Sequence, residues 1–329
     1  MKIVALILSI FTTFIVANSD IELFKKAKKA NLLPIPNTKI ELLKIINNQK
    51  NPSTDAKIEL GKKLYFDPRV SKSNLISCNT CHNLALGGAD GVSVATGDKW
   101  HPNPHHLNSP TVYNAVFANY QFWDGRSTTL EEQVKGPIQT QFEMAMHKDI
   151  LPSKIKNIIG YKEEFKRAYG PNVKITFKLI TDTIAIFERT LITPSRYDDF
   201  LNGDFKALTP KEKDGLNTFI DLGCTRCHKG IALGGFTQPF DTGKRYKYRN
   251  IGDFHGNKNH LVKTPTLRNI KETAPYFHNG MIWNLKDAIK EMGKIQLLLG
   301  ISDKDAQKIE TFFGSLSGRK PKIKYPILP

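Results

Sequence analysis

The sequence predicts a mainly α protein of two similar domains, and three observations carry that prediction. All four cysteines fall in two copies of one pattern, Cys78-Asn79-Thr80-Cys81-His82 and Cys224-Thr225-Arg226-Cys227-His228. The same further signals follow each copy. Apolar residues recur three and four positions apart over several segments, whereas strand-like alternation is scarce. The chain has 329 residues, enough for two domains that each bury a core. With 40% hydrophobic and 24% charged residues it is neither disordered nor fibrous.

Taken in order, an apolar run over residues 3–16 follows Lys2 and gives way to Ala17, Asn18 and Ser19. About 14 apolar residues fall short of the roughly 20 that a bilayer requires. The run therefore reads as a secretory signal peptide, residues 1–19, and the product as exported. Helices are expected at Lys57–Tyr65, Leu130–Val134, Phe177–Leu191, Lys211–Leu222, Leu285–Met292 and Asp303–Phe313, joined by long loops rich in Gly, Pro and Asn. The repeat shows in Leu86-Gly87-Gly88 after His82 and Leu233-Gly234-Gly235 after His228. Further on, Ser109-Pro110-Thr111-Val112-Tyr113-Asn114 is echoed by Thr264-Pro265-Thr266-Leu267-Arg268-Asn269, and Gly125 and Gly280 stand equally far beyond those prolines. Two domains of one design follow, residues 20–192 and 193–329.

Two CxxC pairs alone would fit a disulfide framework, a zinc site or a redox pair. The histidine after each second cysteine decides between them. Haem attachment requires that order: two thiols add across the haem vinyl groups, and the next residue swings its imidazole onto the iron. Two covalently bound haems of the c type are therefore expected, one on Cys78, Cys81 and His82, the other on Cys224, Cys227 and His228. Two haem domains arising from an internal repeat are the expected architecture. The formal charge of +17 fits solvated lysines, an acidic protein partner or the neutralisation of an anionic cofactor. Nucleic acid is not an expected partner, since no recognition motif for it occurs.

The halves differ where chemistry would be done. Counting from the paired prolines, Met292 aligns with Pro137, which has no side-chain ligand. A thioether opposite His228 would raise the potential of the second haem and make it an electron acceptor. Met281, at the position of Arg126, is the alternative ligand. The first half instead carries Gln139-Thr140-Gln141-Phe142-Glu143-Met144 after Trp123-Asp124-Gly125-Arg126, with no acidic equivalent near Met292. Peroxide chemistry at an iron centre wants an open coordination position and a nearby acid or base. Glu143 is the candidate for that group, a surface glutamate on a turn being the alternative.

These residues resemble the bacterial di-haem cytochrome c peroxidase family, from Leu60-Gly61-Lys62-Lys63-Leu64-Tyr65-Phe66-Asp67 through both haem motifs to Tyr325-Pro326-Ile327-Leu328-Pro329. The specific strings are Ser77-Cys78-Asn79-Thr80-Cys81-His82-Asn83, Gln121-Phe122-Trp123-Asp124-Gly125-Arg126, Thr190-Leu191-Ile192-Thr193-Pro194 and Thr273-Ala274-Pro275-Tyr276-Phe277-His278. The resemblance implies cytochrome c-like haem domains, a low-potential peroxidatic haem on Cys78 and Cys81, and a high-potential haem ligated by His228 and Met292. It makes Glu143 the distal acid/base, Gln133 its hydrogen-bonding companion and Trp123 a step on the electron path. It also implies a calcium ion at the domain interface, held by Asn108, Thr273 and Pro275. The expected activity is periplasmic reduction of hydrogen peroxide to water with electrons from small c-type cytochromes, by a homodimer. One departure stands out: Asp98 occupies the position of the family's removable distal histidine. Either His101, His105 or His106 caps the first iron at rest, or that haem stands open.

Overall fold

The computed structural model describes residues 19–49, 51–240 and 244–329. The expected leader lies, Ser19 aside, outside the described residues. The fold is mainly helical, in the order α1 (19–29), α2 (Lys39–Ile46), α3 (Asp55–Phe66), α4 (Cys78–Cys81), α5 (Leu130–Gln139), α6 (Leu151–Lys156), α7 (Ile159–Tyr169), α8 (Phe177–Glu188), α9 (Arg196–Leu201), α10 (Pro210–Asp221), α11 (Leu285–Met292) and α12 (Asp303–Phe313). A short antiparallel pair, β1 (Thr237–Pro239) and β2 (Leu261–Lys263), lies between α10 and α11. No described helix is long and apolar enough to cross a membrane.

Local chemistry explains most boundaries. Thr209 and Glu212 cap one another at the start of α10, with Pro210 in the first turn. Thr54, Thr176 and Ser302 cap α3, α8 and α12 by accepting backbone amides. Helix α5 runs past its expected end at Val134 through Pro137 to Gln139, because its buried face continues at Ile138.

Two cores form. The first packs Leu60 and Leu64 of α3 against Phe165 of α7 and Ile180 and Ile184 of α8, with Val134 of α5. The second packs Leu216 and Phe219 of α10 against Ile309 and Phe312 of α12, with Leu285 and Ile289 of α11. Each core uses a helical glycine for its closest approach. A Cβ at Gly61 would lie 2.2 Å from Thr183 O, and one at Gly215 would lie 2.1 Å from Lys308 O.

Both ends of the chain cross between the halves. Leu23 and Ala27 of α1 and the following Leu32 are buried in the second core, not the first. Asp20 meets Lys213 at 2.7 Å, and Ile35 N donates to Asp198 at 2.7 Å. The opposite end returns to the first half: Ile323 packs against its core, Tyr325 sits edge-on to Phe66, and Arg69 donates to Pro329 O at 2.8 Å. Each half is thus completed by an end of the chain that adjoins the other half in sequence.

Between the halves, two backbone hydrogen bonds run in opposite directions. Asn108 N donates to His278 O at 2.8 Å, and Lys263 N donates to Trp123 O at 2.7 Å. Counted from the paired prolines, Asn108 corresponds to Lys263 and Trp123 to His278. Asn114 and Asn269, both with positive φ, donate side-chain amides to the one Thr193 hydroxyl at 2.7 and 2.9 Å.

Candidate active site

A continuous cavity of about 690 Å³ runs along the junction, and Cys78, Cys81, His82, Cys224, Cys227 and His228 all line it. On the first side, α4 presents the cysteines, and Tyr65 fixes the turn that follows by donating its hydroxyl to His82 O at 2.6 Å. His82 Nδ1 donates to Pro110 O at 2.8 Å; His228 Nδ1 donates to Leu233 O at 3.1 Å. Because a carbonyl only accepts, each Nδ1 carries the proton and each Nε2 keeps its lone pair. Burial lowers the proton affinity of both rings, that of His228 to about 4. Neutral imidazoles oriented through Nδ1 are what a metal ligand requires. The paired thiols, these rings and the cavity's mostly apolar wall fit two covalently held haems.

The first half adds polar groups to the wall. After α5 the chain reverses on Thr140, whose carbonyl accepts Glu143 N at 3.0 Å and Ala145 N at 2.9 Å. That turn sends Glu143 into the cavity, where its Oε2 is buried with no hydrogen-bond partner. Burial raises its carboxyl above the usual range, opposed by the charge of Arg126. Gln133 lines the cavity from α5, one turn before Pro137. Arg126 lies over the Phe122 ring at 3.4 Å and pairs with Asp124 at 2.8 Å. Gly97 brings the 95–107 loop against the Glu143 turn, since a Cβ there would stand 1.9 Å from Phe142 O.

The three candidate histidines for a resting cap separate from one another and from Asp98. Asp98 does not line the cavity; it accepts Ser73 N at 3.2 Å. His101 is exposed and also off the wall. His106 Nε2 is buried without a partner, again off the wall. His105 does line the cavity, packed at 4.9 Å against Phe142, with Nδ1 held at 2.9 Å by Asp253 of the other half. Its Nε2 is left available.

In the second half, Met292 ends α11 on the cavity wall that His228 shares, whereas Met281 lies in a separate surface pocket beside Trp283. Trp123 sits at the junction, its Nε1 donating to Asn108 O at 2.9 Å and its ring 6.4 Å from that of His278. Asn108 donates its amide to Val92 O at 2.7 Å, which leaves Oδ1, and it lines the cavity with Thr273 and Pro275.

Sequence reasoning gave no role to several ionisable residues on the wall, among them Arg126, Glu188, Asp253, His255 and Lys263. A signal existed for Glu188, an acid closing the run of buried positions Ile180–Glu188 on α8. Its Oε2 is buried without a partner, and burial pushes its carboxyl to about 8.

A family model described as di-haem cytochrome c peroxidase matches residues 55–206. The cytochrome c551 peroxidase of Pseudomonas aeruginosa is 42% identical over 310 residues, covering 90% of this chain and 87% of that protein. The chain belongs to the di-haem cytochrome c peroxidase family. The cytochrome c551 peroxidase of Nitrosomonas europaea is 43% identical over 279 residues, 82% of this chain and 83% of its own. Membership makes the protein a peroxidase of the oxidoreductase class and implies two c-type haems, in agreement with the two cysteine pairs on the cavity wall. Among solved structures, a MauG-like protein associated with microbial copper homeostasis superposes with a TM-score of 0.71 at 22% identity, over 87% of this chain and 93% of that one. At that identity the likeness speaks for the fold alone.

Proposed function

We propose that the protein is a periplasmic enzyme that reduces hydrogen peroxide to two waters, taking two protons from solvent and two electrons from small c-type cytochromes. Each half is a haem domain of one repeated design. Cys78, Cys81 and His82 hold the peroxidatic haem; Cys224, Cys227, His228 and Met292 hold the electron-accepting one. When bound, each haem supplies an iron that exchanges single electrons, at a potential set by its axial ligands. The chain's own residues manage peroxide and protons. Glu143 takes a proton from one peroxide oxygen and returns it to the other, so that the departing oxygen leaves as water. Gln133 orients peroxide by a hydrogen bond, and the Arg126 charge keeps Glu143 able to ionise despite its burial. Trp123, between the halves, lies on the electron path. Asn108 Oδ1 and the carbonyls of Thr273 and Pro275 are the hard oxygen donors for a calcium ion at the junction. His105 is the cap of the resting first haem. The strongly basic chain suits an acidic donor.

The observation that carries this reading is the Glu143 carboxyl, buried with one oxygen partnerless in the cavity that His82 lines. Glu143→Gln keeps the shape and removes proton exchange. Steady-state assays with a reduced c-type cytochrome should show peroxide turnover cut by roughly 10² or more, the scale of a positioned acid/base. Near-normal turnover in a variant carrying both haems would move proton handling elsewhere.

A further inference from the structure

Each c-type haem carries two propionate groups, and an anion buried at a junction needs a counter-charge. The lysine and arginine side chains on the wall of the shared cavity, among the described residues, are Arg126 and Lys263. Arg126 is already engaged by Asp124, and its side chain is 54% exposed. Lys263 differs on both counts. It is only 9% exposed, and among the described residues no carboxylate comes within ion-pair distance of its ammonium and no acceptor within hydrogen-bond distance. Burial lowers its proton affinity to about 8, opposed by the Asp124 charge.

Its backbone is tightly fixed. Lys263 pairs with Thr237 across the β1–β2 ladder and donates its amide to Trp123 O at 2.7 Å. The repeat gives the position meaning, since Lys263 stands where the first half has Asn108, and both residues hold Trp123. The second half thus substitutes a cation for an amide at a matched place. Lys263 also shares the cavity wall with His82, Cys78 and Cys81 of the first site.

We propose that the Lys263 ammonium is the counter-ion of a propionate of the haem held by Cys78, Cys81 and His82, supplied to that haem by the other half across the junction. The proposal rests on the two-haem reading above. A cation at the propionate stabilises the reduced state of that haem, so removing it lowers the potential of that couple and leaves the other in place.

The test compares Lys263→Met and Lys263→Arg in the full-length protein, counting haems by pyridine haemochrome and titrating both couples by spectroelectrochemistry. Lys263→Met should carry two haems, with the low-potential couple shifted downward and the high-potential couple unmoved; Lys263→Arg should match the wild type. If Lys263→Met loses the first haem while Lys263→Arg retains both, the charge is needed for loading and the proposal stands. Unchanged couples in a fully loaded Lys263→Met, a shift confined to the high-potential couple, or equal haem loss in both variants would overturn it. Fewer than two haems in the wild type would instead sink the reading beneath it, so the two failures are distinguishable.

Discussion

Glu188 closes α8 inside the first half, and its buried oxygen without a partner gives the molecule a pH dependence of definite sign. Its carboxyl titrates at about 8 in the folded chain against an ordinary value of 4.5. Between those values the folded state holds a proton that the unfolded chain has released, so this contribution is complete below the lower value and fades as pH rises. The slope is about 1.4 kcal/mol of stability lost per pH unit. Glu188→Gln should flatten it, seen as urea midpoints at about pH 5 and about pH 7.5 that converge in the variant and diverge in the wild type. His105 is the second residue whose surroundings set its behaviour, because Asp253 holds Nδ1 and leaves Nε2 toward the cavity. Electron spin resonance of the oxidised protein should show a low-spin first haem that turns high-spin in His105→Ala and stays low-spin in His101→Ala. A first haem that is high-spin in the wild type, or low-spin in His105→Ala, would remove His105 as the cap.

At the scale of elements, the junction between α9 and the loop before α11 depends on one ion pair. Arg268 is fully buried and meets Asp198 of α9 through both guanidinium nitrogens, at 2.9 and 2.8 Å. Asp198 also accepts Ser195 N at the head of α9 and Ile35 N from the strap formed by residues 19–35. Arg268→Met should cost about 3 kcal/mol by leaving that carboxylate short of its cation, and Asp198→Asn in the same chain should recover part of the loss. A calorimetric comparison of the three proteins checks both statements. Legibility in the sequence followed the range of the interactions. Helices α11 and α12 have the expected bounds, since capping by Asn284 and Ser302 is local chemistry. The cysteine pairs and their histidines stand out because haem attachment requires their order, and the repeat singles out Met292, which lines the shared cavity, over Met281, which lies in a separate surface pocket. What sequence could not supply was pairing across the chain. His105 looked like its neighbours until Asp253 was placed against it, and α1 gave no sign that its partners lie beyond residue 196.

For the whole molecule, the reciprocal bonds at the junction and the crossed ends of the chain make the two halves one structure. Leu32 is 1% exposed in the second core, although it precedes the entire first half in sequence. Leu32→Ala should destabilise the protein by 2–5 kcal/mol, the usual cost of deleting a buried leucine side chain, measured by urea unfolding. A loss below about 1 kcal/mol would mean that the strap is a surface decoration. The crossing also governs the order in which the molecule can be built. A ribosome releases residues 19–35 first, but their binding surface on α9 and α10 is made only after the whole first half has appeared. The first half in turn waits for residues 323–329 to lie against Phe66 and Arg69. Neither core is complete until an end of the chain that is distant from it in sequence has been laid against it.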